Sequence, residues 1–261
     1  MHILSEVNFF KKNGYVILKK LYSEKDCNSI LKHLNSIADE SFSQIINMHR
    51  SEFLIIQNIK KINKFKFLAD KYNYIKSLEH ISKVLLKYLK KKIFIRKIRR
   101  LYDNKIIVGL QSQTIFKKPK SSFGKQQYLP HQDNSYAKNK NNLFFTTHLF
   151  LEKSNKNNGS LYVYEKSHNL GLLKFNKTKS YGNSKKAGNK IQMSQINKNY
   201  RLKTIVADPG DVLFMHGNLI HGSYVNKSKN KSRTTFSLCC IPKGENYIKG
   251  RNACREEFSL R

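Results

Sequence analysis

His131-Gln132-Asp133, in the run YLPHQD, sets an imidazole and a carboxylate two positions apart. On an extended chain residues i and i+2 point to the same side, so this pair could bind one metal ion together. With nine histidines in the chain such a pairing also arises by chance, and it needs company. Company comes in PGDVLFMHGNLIHGSYVNKSKNKSRTTFSL, where His216 and His221 each offer a second imidazole and Ser223 shares a face with His221. Two imidazoles and one carboxylate with open positions left over form the ligand set of non-haem Fe(II) oxygen chemistry. Arg233, further along, carries a planar fork of donors that suits the far carboxylate of a 2-oxo-diacid better than a lysine would. The remaining candidates have plainer readings. His148 in TTHLFL is an interior strand group or lines the pocket, His168 belongs to the structural motif running from Gly159 to His168, Asp208 and Asp211 form turns, and Phe116, Tyr128 and Tyr136 are core aromatics flanking the site.

Positioning these groups falls to a helical opening followed by strands. Phe9 and Phe10 mark a short amphipathic stretch, Asn13-Gly14 a turn, and YVILKKL a strand. Ser23 and Asp26 read as a capping box opening a helix whose stripe is Cys27, Ile30, Leu31, Leu34 and Ile37. A second helix is expected from about Ser77, with Leu78, Ile81, Val84, Leu85 and Leu89 at helical spacing. From Ile93 the reading changes to strands: IFIRKIRRLY and IIVGLQSQTIF as a hairpin about Asp103-Asn104-Lys105, then LFFTTHLFL, SLYVYE, the segment around DVLFMH, and TTFSLCCI. This pattern predicts one domain over 1–261: a helical buttress at 1–92, and an antiparallel barrel or sandwich at 93–245. The polar, basic stretch 174–200 is expected to be a loop covering the mouth and favouring a small or anionic substrate.

Composition bounds the rest. The 261 residues carry 50 Lys and Arg against 17 Asp and Glu, a net charge of +33. Lys outnumbers Arg 41 to 9, Asn occurs 27 times and Ala 6 times, a bias that A- and T-rich codons produce without selection for a partner. A nucleic-acid reader would lean more on Arg, so the charge is read as solvated surface. Hydrophobic residues at 39% suffice for a core. Cys27, Cys239, Cys240 and Cys254 include no CxxC, which points to a reducing cytoplasm rather than a disulfide frame or a zinc site. No membrane span is expected.

HQD, NNGSLYVYEKSHNLG and GDVLFMHGNLIHGS followed by Arg233 together resemble the phytanoyl-CoA dioxygenase (PhyH) family of Fe(II)/2-oxoglutarate-dependent oxygenases. FFKKNGYVILKKLYSEKD is similar to that family's opening helix and strand. The resemblance implies His131, Asp133 and His221 as iron ligands, the His-Gly-Ser tripeptide selecting His221 over His216. It further implies Arg233 and Ser223 as holders of the far carboxylate of 2-oxoglutarate, with Lys118, Thr114 and Gln132 beside them. The stretch QSQTIFKKP is also similar to the ectoine hydroxylase branch, which would turn Gln111 and Lys117 inward instead, since a one-residue slip exchanges the faces. Lys118 is preferred for its Lys-Pro pair. Lys166 stands where the family usually has Gly. The implied fold is mainly β with N-terminal helices, a double-stranded β-helix or cupin-like jelly roll. The implied reaction uses O2 and 2-oxoglutarate to hydroxylate a small organic substrate, releasing succinate and CO2. Asp133 argues against the related halogenases, which leave that ligand position to a halide. Two rivals are an oxygenase of the nucleic-acid demethylase type, which would need an Asn-x-Tyr where Gln126, Gln127 and Tyr128 stand, and a non-enzymatic basic nucleic-acid-binding protein.

Overall fold

The computed structural model describes residues 3–39, 74–76, 82–121, 124–176, 186–187, 190–191, 195–196, 199–249 and 255–261. Helix α1 (Ile3–Asn13) leads through Gly14 into β1 (Tyr15–Leu18) and α2 (Glu24–Asp39). Next come β2 (Tyr74–Lys76), α3 (Lys83–Leu89), α4 (Lys92–Leu101), β3 (Ile107–Lys117), β4 (Gln127–His131) and a single helical turn, α5 (Asn134–Ala137). β5 (Phe145–Phe150), β6 (Leu161–Tyr164), three two-residue strands β7 to β9 (Phe175–Asn176, Lys186–Ala187, Lys190–Ile191), β10 (Leu202–Thr204), β11 (Val212–His216), β12 (His221–Ser223), β13 (Arg233–Pro242) and β14 (Phe258–Ser259) complete the order.

Two sheets face each other. The larger runs β1-β11-β5-β13-β3-β14 with β2 also on β3, and the smaller runs β10-β6-β12-β4-β8. All pairings are antiparallel except β4 with β8. This is the expected architecture: mainly β, two antiparallel sheets, helices leading. The helices cover the outer face of the larger sheet, where Phe10, Ile30, Leu85 and Phe94 pack with Phe116 and Phe214. The capping box forms as read, Asp26 N–H donating to Ser23 Oγ at 3.1 Å and Ser23 N–H to Asp26 Oδ2 at 3.0 Å.

One element differs from expectation. IFIRKIRRL is helical in α4, where the sequence reads as a strand. Phe94, Ile98 and Leu101 are its buried residues, a spacing of four and three that only a helix puts on one face. Phe94 meets Tyr22 and Phe214, ring centroids 5.9 Å apart in both cases, which fastens α4 to the sheet. α3 begins after Ser82, whose hydroxyl accepts from Leu85 N–H. The earlier start expected at Ser77 with Leu78 and Ile81 lies outside the described residues, as does most of 174–200.

Between the sheets the interior divides. Under β1, β11 and β6 it is apolar, with Phe150, Leu161, Val163, Leu213 and Met215. Under β5, β13 and β3 it is polar, and successive cross-strand rows can be followed along it. Thr146, Cys239 and Gln111 form the first row, His148, Ser237 and Gln113 the second, Phe150, Thr235 and Ile115 the third, and Arg233 with Lys117 the fourth.

Candidate metal centre

His131 ends β4 and His221 begins β12, and the two are direct cross-strand partners with ring centroids 4.3 Å apart. Asp133 does not sit on an extended segment, as the spacing suggested. Its backbone is already helical (φ −64°, ψ −32°) as the chain turns into α5, and this turn swings the carboxylate back to the two rings. Asp133 Oδ1 lies 3.7 Å from His131 Nε2 and 3.6 Å from His221 Nε2. All three ligand atoms fall within 4.8 Å of one another, and each Asp-His pair is closer than two metal-ligand bonds of about 2.1 Å placed end to end.

The ring protons are directed away from this centre. His131 Nδ1 is 2.7 Å from Leu129 O, and His221 Nδ1 is 3.0 Å from Leu219 O. A carbonyl can only accept, so each Nδ1 carries the proton and each Nε2 presents a lone pair inward. Burial, reinforced by His221 and opposed by Asp133, pulls His131 down to about 4. Burial also works to raise Asp133, but His221, His131, His148 and the Thr146 hydroxyl outweigh it and hold the carboxyl below its usual range. Thr146 Oγ1 donates to Asp133 Oδ2 at 2.9 Å, leaving Oδ1 for the centre.

His216 is not part of this group. It closes β11 beside His168, ring centroids 5.2 Å apart, and both line a separate cavity of about 230 Å³ with Phe10 and Tyr102 under α1 and α4.

Beyond the triad, Arg233 is 1% exposed. Its Nε and Nη2 donate to Gly159 O at 3.1 and 3.0 Å, and Nη1 to Thr235 Oγ1 at 3.2 Å. Gly159 can offer that carbonyl because its φ of +86° suits glycine. Burial lowers Arg233 to about 10, opposed by Tyr128 and Glu152, so it stays charged near neutrality. Ser223, the cross-strand partner of Tyr128, has a buried hydroxyl with no hydrogen-bond partner among the described residues.

Three expected cosubstrate residues are corrected. Lys118 does not face the interior; Lys117 does, wholly buried opposite Arg233, its Nζ donating to Gln126 O at 2.9 Å and to Tyr224 O. Lys118 instead sets its Nζ over the ring of Phe116, 5.3 Å from the centroid. Thr114 shares the helix-covered face with Phe116 and donates to Thr235 O at 2.9 Å. Phe116 decides the register: its ring joins the apolar layer under the helices, so Lys117, Gln113 and Gln111 turn inward. Gln132 is occupied in holding loops, with Nε2 donating to Gly171 O and Asn218 O and Oε1 accepting from Leu173 N–H. The neighbouring Asn134 and Asn218, joined at 2.9 Å, also brace the ligand turn, and sequence reasoning missed them. Asn in a loop carries no signal of its own.

The sequence profile of the phytanoyl-CoA dioxygenase (PhyH) family matches residues 10–235. A phytanoyl-CoA dioxygenase of Arabidopsis thaliana is 26% identical over 256 residues, covering 89% of this chain and 86% of the plant protein. The peroxisomal phytanoyl-CoA dioxygenase of Homo sapiens is 23% identical over 235 residues, covering 87% of this chain, which spans 64% of the human protein's length. The crystal structure of the epimerase SnoN with Fe3+, alpha ketoglutarate and nogalamycin RO has the same fold, with a TM-score of 0.67 at 14% identity over 99% of this chain and 95% of that one.

Proposed function

Since the chain belongs to the phytanoyl-CoA dioxygenase family of Fe(II)/2-oxoglutarate oxygenases, we propose that it hydroxylates a small organic substrate with release of succinate and CO2. The observation that carries the reading is the convergence of three inward-facing ligand atoms and a buried, charged arginine on one polar half of the barrel.

The donor set suits the group it would hold. Two neutral imidazoles and one carboxylate on one side of an ion leave its other positions for a bidentate 2-oxo acid and O2. Bound there, iron with 2-oxoglutarate and O2 supplies the oxidising equivalent, sending one oxygen atom into succinate and the other to a substrate C–H. The protein's part is placement. His131 and His221 present Nε2, Asp133 presents Oδ1, and Leu129, Leu219 and Thr146 fix those orientations. Arg233 keeps N–H capacity beyond its bonds to Gly159 and Thr235, and the Ser223 hydroxyl, unpartnered among the described residues, fits a carboxylate arriving beside it. Along β13 the guanidinium reaches back to the level of Thr235, two rows from Thr146 and Asp133. Gln111 and Gln113 on the interior face of β3 give that half a polar lining, which supports a polar substrate.

Anaerobic addition of Fe(II) and 2-oxoglutarate tests the reading. Wild type is expected to show a metal-to-ligand charge-transfer band in the visible, and His131→Ala to lack it. A wild-type protein without the band would refute the assignment. Candidate substrates are then ranked by stimulated succinate release.

A further inference from the structure

The stretch from Lys83 to Tyr102, which forms α3 and α4, holds six Lys, three Arg and no Asp or Glu. A chain-wide bias towards Lys explains the overall charge, yet it does not explain why Arg96, Arg99 and Arg100, three of the nine arginines in the chain, fall within five positions. Four of these cations are occupied within the fold. Lys91 pairs with Asp26 and Lys97 with Glu6, both at 2.6 Å, Lys90 Nζ donates to Arg261 O at 2.7 Å, and Arg99 Nη2 donates to Asn104 O at 3.1 Å. The side chains of Lys83, Lys87, Lys92, Arg96 and Arg100 have no partner among the described residues.

Those five share an orientation. Leu85 and Leu89 of α3 and Phe94 and Ile98 of α4 enter one apolar core, so the opposite sides of both helices point away from the barrel. On α4, Lys92, Arg96 and Arg100 are spaced by four and stack on the side opposite that buried stripe. Each helix also carries the same short pattern, a Lys followed by an aliphatic residue and then, three positions on, by another cation: Lys83-Val84 with Lys87, and Lys92-Ile93 with Arg96. Val84 and Ile93 are 45% and 38% exposed, so the core claims neither. Cations alone would suit any polyphosphate. Exposed aliphatic side chains beside them gain nothing from a sugar-phosphate backbone, and the exposed positions of α3 and α4 hold no aromatic ring or amide to stack on a base or read one. Among lipid headgroups the same aliphatics leave water while the cations meet phosphate and carboxylate.

We propose that the outer face of α3 and α4 docks this protein onto an anionic lipid bilayer. The contact is peripheral, since no helix among the described residues is long and apolar enough to cross a membrane. It lies outside the barrel and is independent of the metal-centre reading.

Vesicle flotation with the full chain tests the proposal. Wild type is expected to float with vesicles of phosphatidylcholine and about 30% phosphatidylserine in about 0.1 M salt, and to remain unbound with phosphatidylcholine alone. The triple variant Lys92→Gln, Arg96→Gln, Arg100→Gln is expected to bind about tenfold or more weakly. Lys203→Gln, Lys227→Gln, Lys229→Gln removes the same charge from exposed positions elsewhere and is expected to lose no more than about twofold. Ile93→Ser is expected to bind several-fold more weakly at unchanged charge. Urea midpoints establish that each variant is folded, and if the α4 triple variant is not, Lys83→Gln, Lys87→Gln reads the same face from α3 with a several-fold loss expected. Wild type that fails to bind the anionic vesicles overturns the proposal, as do equal losses in the two triple variants, which would make net charge the cause. Tighter binding of wild type to a DNA duplex than to the vesicles, with Ile93→Ser unchanged on both, overturns it in favour of a nucleic-acid face.

Discussion

An imidazole can serve a metal at neutral pH when its proton is held on the other nitrogen, and here the backbone holds it twice in the same way. His131 and His221 each bond the carbonyl two residues before them, Leu129 and Leu219, so both Nε2 lone pairs converge without help from another side chain. The neighbouring lysines show the opposite case, where chemically identical groups one position apart have unrelated roles. Lys117 is sealed in the interior, pushed well below its usual pKa by burial and by Arg233, and it ties β3 to the carbonyls of Gln126 and Tyr224 across the barrel. Lys118 is partly exposed at the end of β3. Lys117→Met therefore leaves two carbonyls without their donor and is expected to cost about 2 kcal/mol or more, whereas Lys118→Met is expected to stay within about 0.5 kcal/mol. Urea unfolding of both variants decides it. Equal midpoints would contradict the inward register of Lys117.

At the scale of elements, what the sequence made legible was whatever depends on local spacing. The H-x-D pair, the His-Gly-Ser tripeptide, the capping box at Ser23 and Asp26, and the alternation in β5 and β13 all carry their signal within a few residues. What depends on a distant partner was not legible. After Lys92, α4 carries three apolar residues in a row, Ile93, Phe94 and Ile95, and reads as a strand until Tyr22 and Phe214 appear as partners for Phe94 on a helical stripe. The face of β3 was ambiguous for the same reason, because the helices that claim Phe116 lie far away in the chain. Lys166 illustrates a local rule that this chain breaks. It caps the 3-10 turn Ser167–Leu170 with φ +69°, a conformation that costs a side chain with Cβ about 1 kcal/mol. Its backbone N–H donates to Asn13 O, which holds the turn against the end of α1. Lys166→Gly is accordingly expected to raise stability by roughly 1 kcal/mol, read as a higher urea midpoint at unchanged slope. A lower midpoint would mean that the lysine side chain contributes more than its backbone strain costs.

Over the whole molecule the charge of +33 and the buried imidazoles act in the same direction on stability. Among the described residues most basic side chains are outside; Lys117 and Arg233 sit fully within the barrel, and Arg255 is also buried. Acidification adds protons to a chain that already repels itself, and more readily to the unfolded chain than to the folded one. Burial holds His131 and His216 at about 4 and His148 at about 3, and lowers His168, against about 6.5 for an exposed histidine. Each folded-state value lies below its unfolded one, so the stabilisation these groups give is fully present above pH 6.5. It is lost progressively as the pH falls from there towards 4, where the unfolded chain takes up protons that the folded chain refuses. Asp133 and Asp26, whose carboxyls are held below their usual range, contribute to a separate loss at still lower pH. His216 gives the cleanest test because it lies in the α1 cavity and not among the metal ligands. In metal-free protein at constant ionic strength, the urea midpoint is expected to decline between pH 6.5 and 4. His216→Gln is expected to flatten that decline, by on the order of 2 kcal/mol across the window, whatever its effect on the midpoint at pH 7. Raising the salt concentration is expected to reduce the part of the decline due to net charge and to leave the His216 part, which is set by burial, in place. A wild-type midpoint that is flat from pH 7 to pH 5, or a His216→Gln protein with the wild-type slope, would show that these rings reach solvent and titrate normally in the folded state.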